Sequence, residues 1–144
     1  MENIRHFGIV VKNIEKSLGF YRYLLGFEVK KDIVEEGEFI NAVLGLKNVR
    51  VRTVKMSAEN GSALLELLCY ESHLSGKTEK KEIFTLGPSH LALTVSNLDE
   101  EYRKLKKNYI KFISSPNISP DGRAKVAFCY DPENNPIELV EEIN

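Results

Sequence analysis

Apolar and polar positions alternate along the chain in a pattern that switches between strand and helix spacing, and then starts again. Arg5–Val11 is rich in Ile and Val and predicts a strand. Asn13 follows as a helix N-cap, with Ile14, Leu18, Tyr21 and Leu25 at helical spacing before Gly26, a C-terminal stop. Phe27–Val34 reads as a second strand, followed by a short segment, Phe39–Leu46. Val49–Met56 alternates with Arg and Thr, Glu59-Asn60-Gly61 supplies a turn with the Asn-Gly hairpin signal, and Ala63–Tyr70 forms the next strand. The order is strand, helix, three strands.

Glu71–Gly87 is polar and charged, including Gly76-Lys77-Thr78-Glu79-Lys80-Lys81-Glu82, and reads as a solvated connection. The pattern then recurs. His90–Ser96 predicts a strand, and Asn97 caps a helix with Glu100 three residues on and Leu98, Tyr102 and Leu105 as its apolar face. Tyr109–Ser114 reads as extended, Pro116–Gly122 as a turn, Arg123–Tyr130 as a strand, Asp131–Asn135 as a turn, and Pro136–Glu142 as the closing strand.

The recurrence is visible in the residues themselves. Offset by 84, His6-Phe-Gly-Ile-Val-Val-Lys-Asn-Ile-Glu15 lies on His90-Leu-Ala-Leu-Thr-Val-Ser-Asn-Leu-Asp99. Offset by 72, Leu65-Glu66-Leu67-Leu68 lies on Ile137-Glu138-Leu139-Val140. Each half therefore begins a strand near a His and ends one near a Glu. The first half carries the longer interval, which places an insertion at Glu35–Leu46. The expected architecture is α+β, with two βαβββ modules, 1–72 and 85–144, making one domain over 1–144.

Composition narrows the function. With 20 Lys plus Arg against 21 Asp plus Glu, the formal net charge is -1, and no basic block exists to neutralise phosphates, so nucleic acid is excluded as a partner. Apolar runs such as Ile9-Val10-Val11 fall far short of the ~18 residues that cross a bilayer, so no membrane partner is expected. Met1-Glu2-Asn3 lacks a signal peptide's basic start, and Cys69 and Cys129 form no C-x-x-C pair; both suit a cytoplasmic protein with free, packing thiols.

Chemistry enters through four residues. Glu66 and Glu138 each interrupt an apolar strand, where an unpaired buried carboxylate costs several kcal/mol. A cation is an economical partner for both. Joined by His6 and His90, they form a mixed nitrogen and oxygen set suited to Ni, Zn, Co, Mn or Fe(II), and less to Ca or Mg. Open coordination positions would remain for water or substrate, as in catalytic rather than structural sites. Taken singly, each His would be read as a hydrogen-bonded strand residue and each Glu as solvent-facing; their recurrence at matching places in two copies supports the metal reading.

Other candidates are weaker. Arg50 and Arg52 point the same way from an alternating strand and could grip an anion, although a solvated strand face explains them better. Arg123 and Lys125 have the same plain explanation, and His73 has no repeat partner. No nucleophilic triad and no Gly-rich phosphate loop is present.

The opening H-F-G-I-V-V-K-N-I-E-K-S-L-G-F-Y-R-Y-L-L-G-F, the S-H-L-A-L-T-V-S-N-L-D of the second half and the closing Y-D-P-E-N-N-P-I-E-L-V-E resemble the vicinal oxygen chelate superfamily. That superfamily includes glyoxalase I (lactoylglutathione lyase), methylmalonyl-CoA epimerase, extradiol dioxygenases and the fosfomycin and bleomycin resistance proteins. The resemblance spans nearly the whole chain. It implies that the halves form a cup lined by His6, Glu66, His90 and Glu138 as metal ligands, in a homodimer. It also implies a metal-dependent lyase or isomerase that abstracts a proton beside the carbonyl of a small carbonyl compound or thioester, through a metal-bound enediolate or enolate. Glu138 or Glu66 would be the base. The His, Glu, His, Glu set is similar to that of glyoxalase I, whereas the Arg and Asn implicated there in glutathione binding are replaced by Val10 and Tyr70. Two rival readings attach to the same family: a metal-free small-molecule (antibiotic) binding protein, and a fosfomycin-type thiol transferase.

Overall fold

A computed structural model of the protein describes residues 2–61, 63–74, 76 and 82–143. The chain divides into two compact units, Met1–Lys77 and Thr78–Asn144. Most of the 76–82 connection expected to be solvated lies outside the described residues.

The first unit runs β1 (His6–Val10), α1 (Ile14–Leu18), β2 (Glu28–Glu36), α2 (Glu38–Leu44), β3 (Arg50–Ser57) and β4 (Leu64–Tyr70). The second runs β5 (Leu91–Thr94), α3 (Leu98–Lys107), β6 (Asn117–Ile118), β7 (Ala124–Tyr130) and β8 (Pro136–Glu142). Each unit holds one four-stranded mixed sheet, ordered β1-β4-β3-β2 and β5-β8-β7-β6. The first and last strands of each unit pair in parallel and the rest antiparallel. The two modules are therefore βαβββ units of one topology, and α2 occupies the longer interval of the first.

Capping residues behave as their chemistry requires. Asn13 accepts the Lys16 amide at 3.0 Å, and Asn97 accepts the Glu100 amide at 3.1 Å, satisfying a donor that each helix start leaves open. Asn97→Ala is expected to lower stability by about 1 kcal/mol in urea denaturation, and an unchanged midpoint would show that the cap contributes nothing.

Alternation divides each sheet into two faces. On the helix side of the first sheet, Ile9, Leu65, Leu67, Val54 and Met56 are buried together with Ile14, Leu18, Phe20 and Tyr21. In the second, Ile137, Leu139, Ala127 and Cys129 are buried with Leu98 and Leu105. Burial pushes the Cys129 thiol up to about 12, with Asp131 adding to the effect, so it stays a protonated packing group.

The structure corrects several expectations. The first helix does not continue to Leu25 on one α register: Gly19–Leu24 widens into a π turn, closed by Leu25 N–H to the Phe20 carbonyl at 3.0 Å. The wider turn brings Phe20 and Tyr21 inward together, ring edges against faces with centroids 5.0 Å apart, while Leu25 is only half-buried. The stretch 109–114 is extended at its centre, as expected, where Tyr130 N–H bonds the Lys111 carbonyl at 3.0 Å and Ile113 N–H the Phe128 carbonyl at 2.9 Å. Tyr109 takes a left-handed φ of 62° as the helix ends, and Phe112 packs on Tyr102 of α3, leaving a single bridge from Phe112 to Cys129. Two residues of the expected 116–122 turn instead form β6. The Asn60-Gly61 hairpin also departs from the primed two-residue type: neither residue has positive φ, and Gly61 N–H bonds the Ala58 carbonyl at 3.3 Å.

Candidate metal centre

Parallel pairing sets each His beside its Glu. β1 runs beside β4 with Gly8 opposite Glu66, and β5 beside β8 with Ala92 opposite Glu138. His6 and His90 stand two residues earlier than those partners, on the same face of their strands or strand extension. The residue between is small in both units, Gly8 or Ala92, so the imidazole can reach over it to the carboxylate. His6 Nε2 lies 3.5 Å from Glu66 Oε2, and His90 Nε2 lies 3.1 Å from Glu138 Oε2.

These separations fit ligands of one ion. Two donors each about 2.1 Å from a metal stand about 3.0 Å apart at an octahedral angle and about 3.4 Å apart at a tetrahedral one. Each unit thus supplies a nitrogen and oxygen pair with ligand geometry. Among the described residues, no three His, Cys, Asp or Glu side chains gather as one metal-binding group; the grouping within each unit is a pair.

The two pairs sit in different surroundings. Glu66 is buried, and its Oε1 lies 3.1 Å from Lys55 Nζ, its register partner on β3. The cation beside Glu66 in this structure is thus a lysine of the same sheet. At the corresponding place beside Glu138 stands Phe128, whose ring meets His90 edge to face with centroids 5.2 Å apart. The His90 ring is further held by Ser89, whose Oγ is 2.5 Å from Nδ1. The second oxygen of Glu138 has no partner among the described residues.

Lys55 escaped the sequence reading, which looked for repeated residues. A signal was available: Lys55 lies five residues before Asn60 and Glu66 five after Gly61, so a hairpin centred on Asn60-Gly61 pairs them.

The remaining candidates are engaged elsewhere. Arg52 grips Asp32 through two hydrogen bonds of 3.0 and 2.8 Å and reaches Glu15 at 2.7 Å; the guanidinium holds the Asp32 carboxyl below its ordinary range. Arg50 bonds Glu36 and, at 2.6 Å, Glu71. Both are paired on a strand face, in line with the plainer of the two readings. Lys125 pairs with Asp99 at 2.7 Å, and the exposed His73 bonds only Ser72 among the described residues. Cys69 and Cys129 are free thiols.

The fold agrees with comparisons to known proteins. Residues 3–139 match the model of the Glyoxalase/Bleomycin resistance protein/Dioxygenase superfamily, and the chain belongs to that superfamily. It is 30% identical to a probable lactoylglutathione lyase of Synechocystis, over 94% of this chain and 92% of that one. It is 28% identical to the lactoylglutathione lyase of Schizosaccharomyces pombe, over 96% of this chain but 47% of that protein, so it spans about half the yeast enzyme's length. A glyoxalase family protein from Bacillus cereus has the same fold with a TM-score of 0.91, at 20% identity over 100% of this chain and 96% of that one. An antibiotic binding protein from Streptomyces also shares the fold at a TM-score of 0.66 and 18% identity, over 99% of this chain and 98% of that one. No helix among the described residues is long and apolar enough to cross a membrane.

Proposed function

We propose that this protein is a divalent-metal-dependent lyase or isomerase that removes a proton from the carbon beside a carbonyl in a small compound or thioester. His6, Glu66, His90 and Glu138 would hold the ion, whether their pairs come from one chain or from two in a homodimer. One observation carries the reading. A His–Glu pair at ligand spacing occurs twice, at equivalent places of two modules that otherwise share few residues.

A bound divalent ion supplies Lewis-acid stabilisation of the oxygen charge that builds when such a carbon loses its proton, worth several kcal/mol in the transition state. The chain's own residues do the rest. Glu138, with one oxygen toward His90 and the other unpartnered among the described residues, has an oxygen free to receive the proton. Glu66 is occupied on both sides, by Lys55 and His6, which suits holding a ligand position rather than moving a proton. Phe128 packs against His90 and keeps that imidazole aimed at Glu138. Val10, more than half exposed, and Tyr70 stand where glutathione-holding Arg and Asn are found in glyoxalase I, which counts against a glutathione adduct as the substrate.

Metal content and solvent exchange test the reading together. Protein loaded with Ni, Zn, Co and Mn is expected to retain about one ion per four-ligand set, and Glu66→Gln to weaken retention by at least the roughly 10-fold that follows loss of a mere supporting contact. Incubation with methylglyoxal hemithioacetal or methylmalonyl-CoA in deuterated water should then place deuterium on the carbon beside the carbonyl. Metal retained at background level would favour the metal-free binding protein, and thiol addition to fosfomycin without exchange would favour the transferase.

A further inference from the structure

The row of residues that crosses the first sheet at Glu66 is unusual in charge. From β1 to β2 it reads Gly8, Glu66, Lys55, Lys31, each opposite the next in register, so all four project to one face. Two lysines thus stand directly opposite each other on adjacent strands, a like-charge pair that destabilises a sheet unless anions offset it; Glu66 offsets Lys55, and no carboxylate among the described residues offsets Lys31. Glu66 is the single carboxylate in that row. Two further acids share this face: Glu35, which accepts the Thr53 hydroxyl at 2.7 Å, and Glu28, opposite Ser57 and paired with Lys30. Lys31 is exposed and makes no ion pair among the described residues. Lys55 offers three N–H donors, of which Glu66 engages one.

On the opposite face of the same strands every arginine is paired. There Arg50 and Arg52 are met by four carboxylates, Glu36, Glu71, Asp32 and Glu15. The feature particular to the Glu66 face is that Lys31, directly opposite Lys55, has no carboxylate paired to it among the described residues. The second unit has no counterpart, since Phe128 takes the place of Lys55.

We propose that Lys55 and Lys31 form an anion subsite that takes a carboxylate or phosphoryl group of the substrate beside the His6–Glu66 pair. The substrate class becomes an anionic carbonyl compound, held by its charged group in the first unit. Two ammonium groups on neighbouring strands match an anion with several oxygens better than a single-point contact would. The proposal rests on the function above only in naming the bound group a substrate's.

Calorimetric titration of the metal-free protein with malonate, methylphosphonate and neutral malonamide tests the subsite. Both anions, or one, are expected to bind and malonamide not to. Lys55→Met and Lys31→Met should each weaken binding by about fivefold or more, and Glu66→Gln should strengthen it by freeing Lys55. Raising salt should weaken binding in the unchanged protein. Tighter binding of malonate than methylphosphonate identifies a carboxylate, and the reverse order a phosphoryl group. Lys31 is exposed, so its variant tests the subsite without endangering the fold. Equal binding by both lysine variants and the unchanged protein, or no anion binding at all, would overturn the proposal. Because metal is absent from the titration, malonate binding by a protein that fails to retain metal would sink the metal reading alone.

Discussion

Glu138→Gln is expected to slow solvent deuterium entry into the substrate by about 10²- to 10⁴-fold, the range a positioned general base contributes. Gln keeps the shape of the side chain and an oxygen toward His90 Nε2, which lies 3.1 Å away in the unchanged protein. It removes the capacity to accept a proton and also the negative charge Glu138 would offer the ion, so exchange is compared with metal in excess. Glu66→Gln is the control, since it alters a carboxylate already engaged by Lys55 and His6. Its effect should appear mainly as lost metal and be partly restored by excess metal in the assay. Loss in Glu138→Gln should resist that rescue. If excess metal restores exchange to Glu138→Gln and not to Glu66→Gln, the two roles are reversed.

Leu67→Ala is expected to cost about 2–5 kcal/mol, the range for emptying a leucine site in a close-packed interior. Leu67 is 0% exposed at the centre of β4, opposite Ile9 on one side and Val54 on the other. Both neighbours are buried strand residues with little freedom to move into the space. Leu139, 72 residues on, is 0% exposed between Leu93 and Ala127, and Leu139→Ala should fall in the same range. Urea denaturation followed by circular dichroism reads both. A cost under about 1 kcal/mol for either would show that its interior relaxes to fill the hole. Since each leucine flanks a candidate ligand on the opposite face, such loss should also loosen the Glu beside it.

Much of the fold is legible because strand and helix periods differ and because the pattern occurs twice. β8 begins and ends where Pro136–Glu142 predicts, and Asn13 and Asn97 cap their helices as their side chains allow. Misreadings came where an apolar run is used for something other than its local period. Phe20 breaks the α spacing that Ile14, Leu18 and Tyr21 define, and the chain answers with a π turn that buries it.

The sequence by itself determined the module, its duplication and the identity of the His and Glu side chains, because alternation and capping act over a few residues and repetition shows what is kept. Only the tertiary structure decided that Lys55 sits on Glu66 and Phe128 on His90. Those neighbours come from another strand, and strand register is fixed by the whole sheet rather than by any one segment of it.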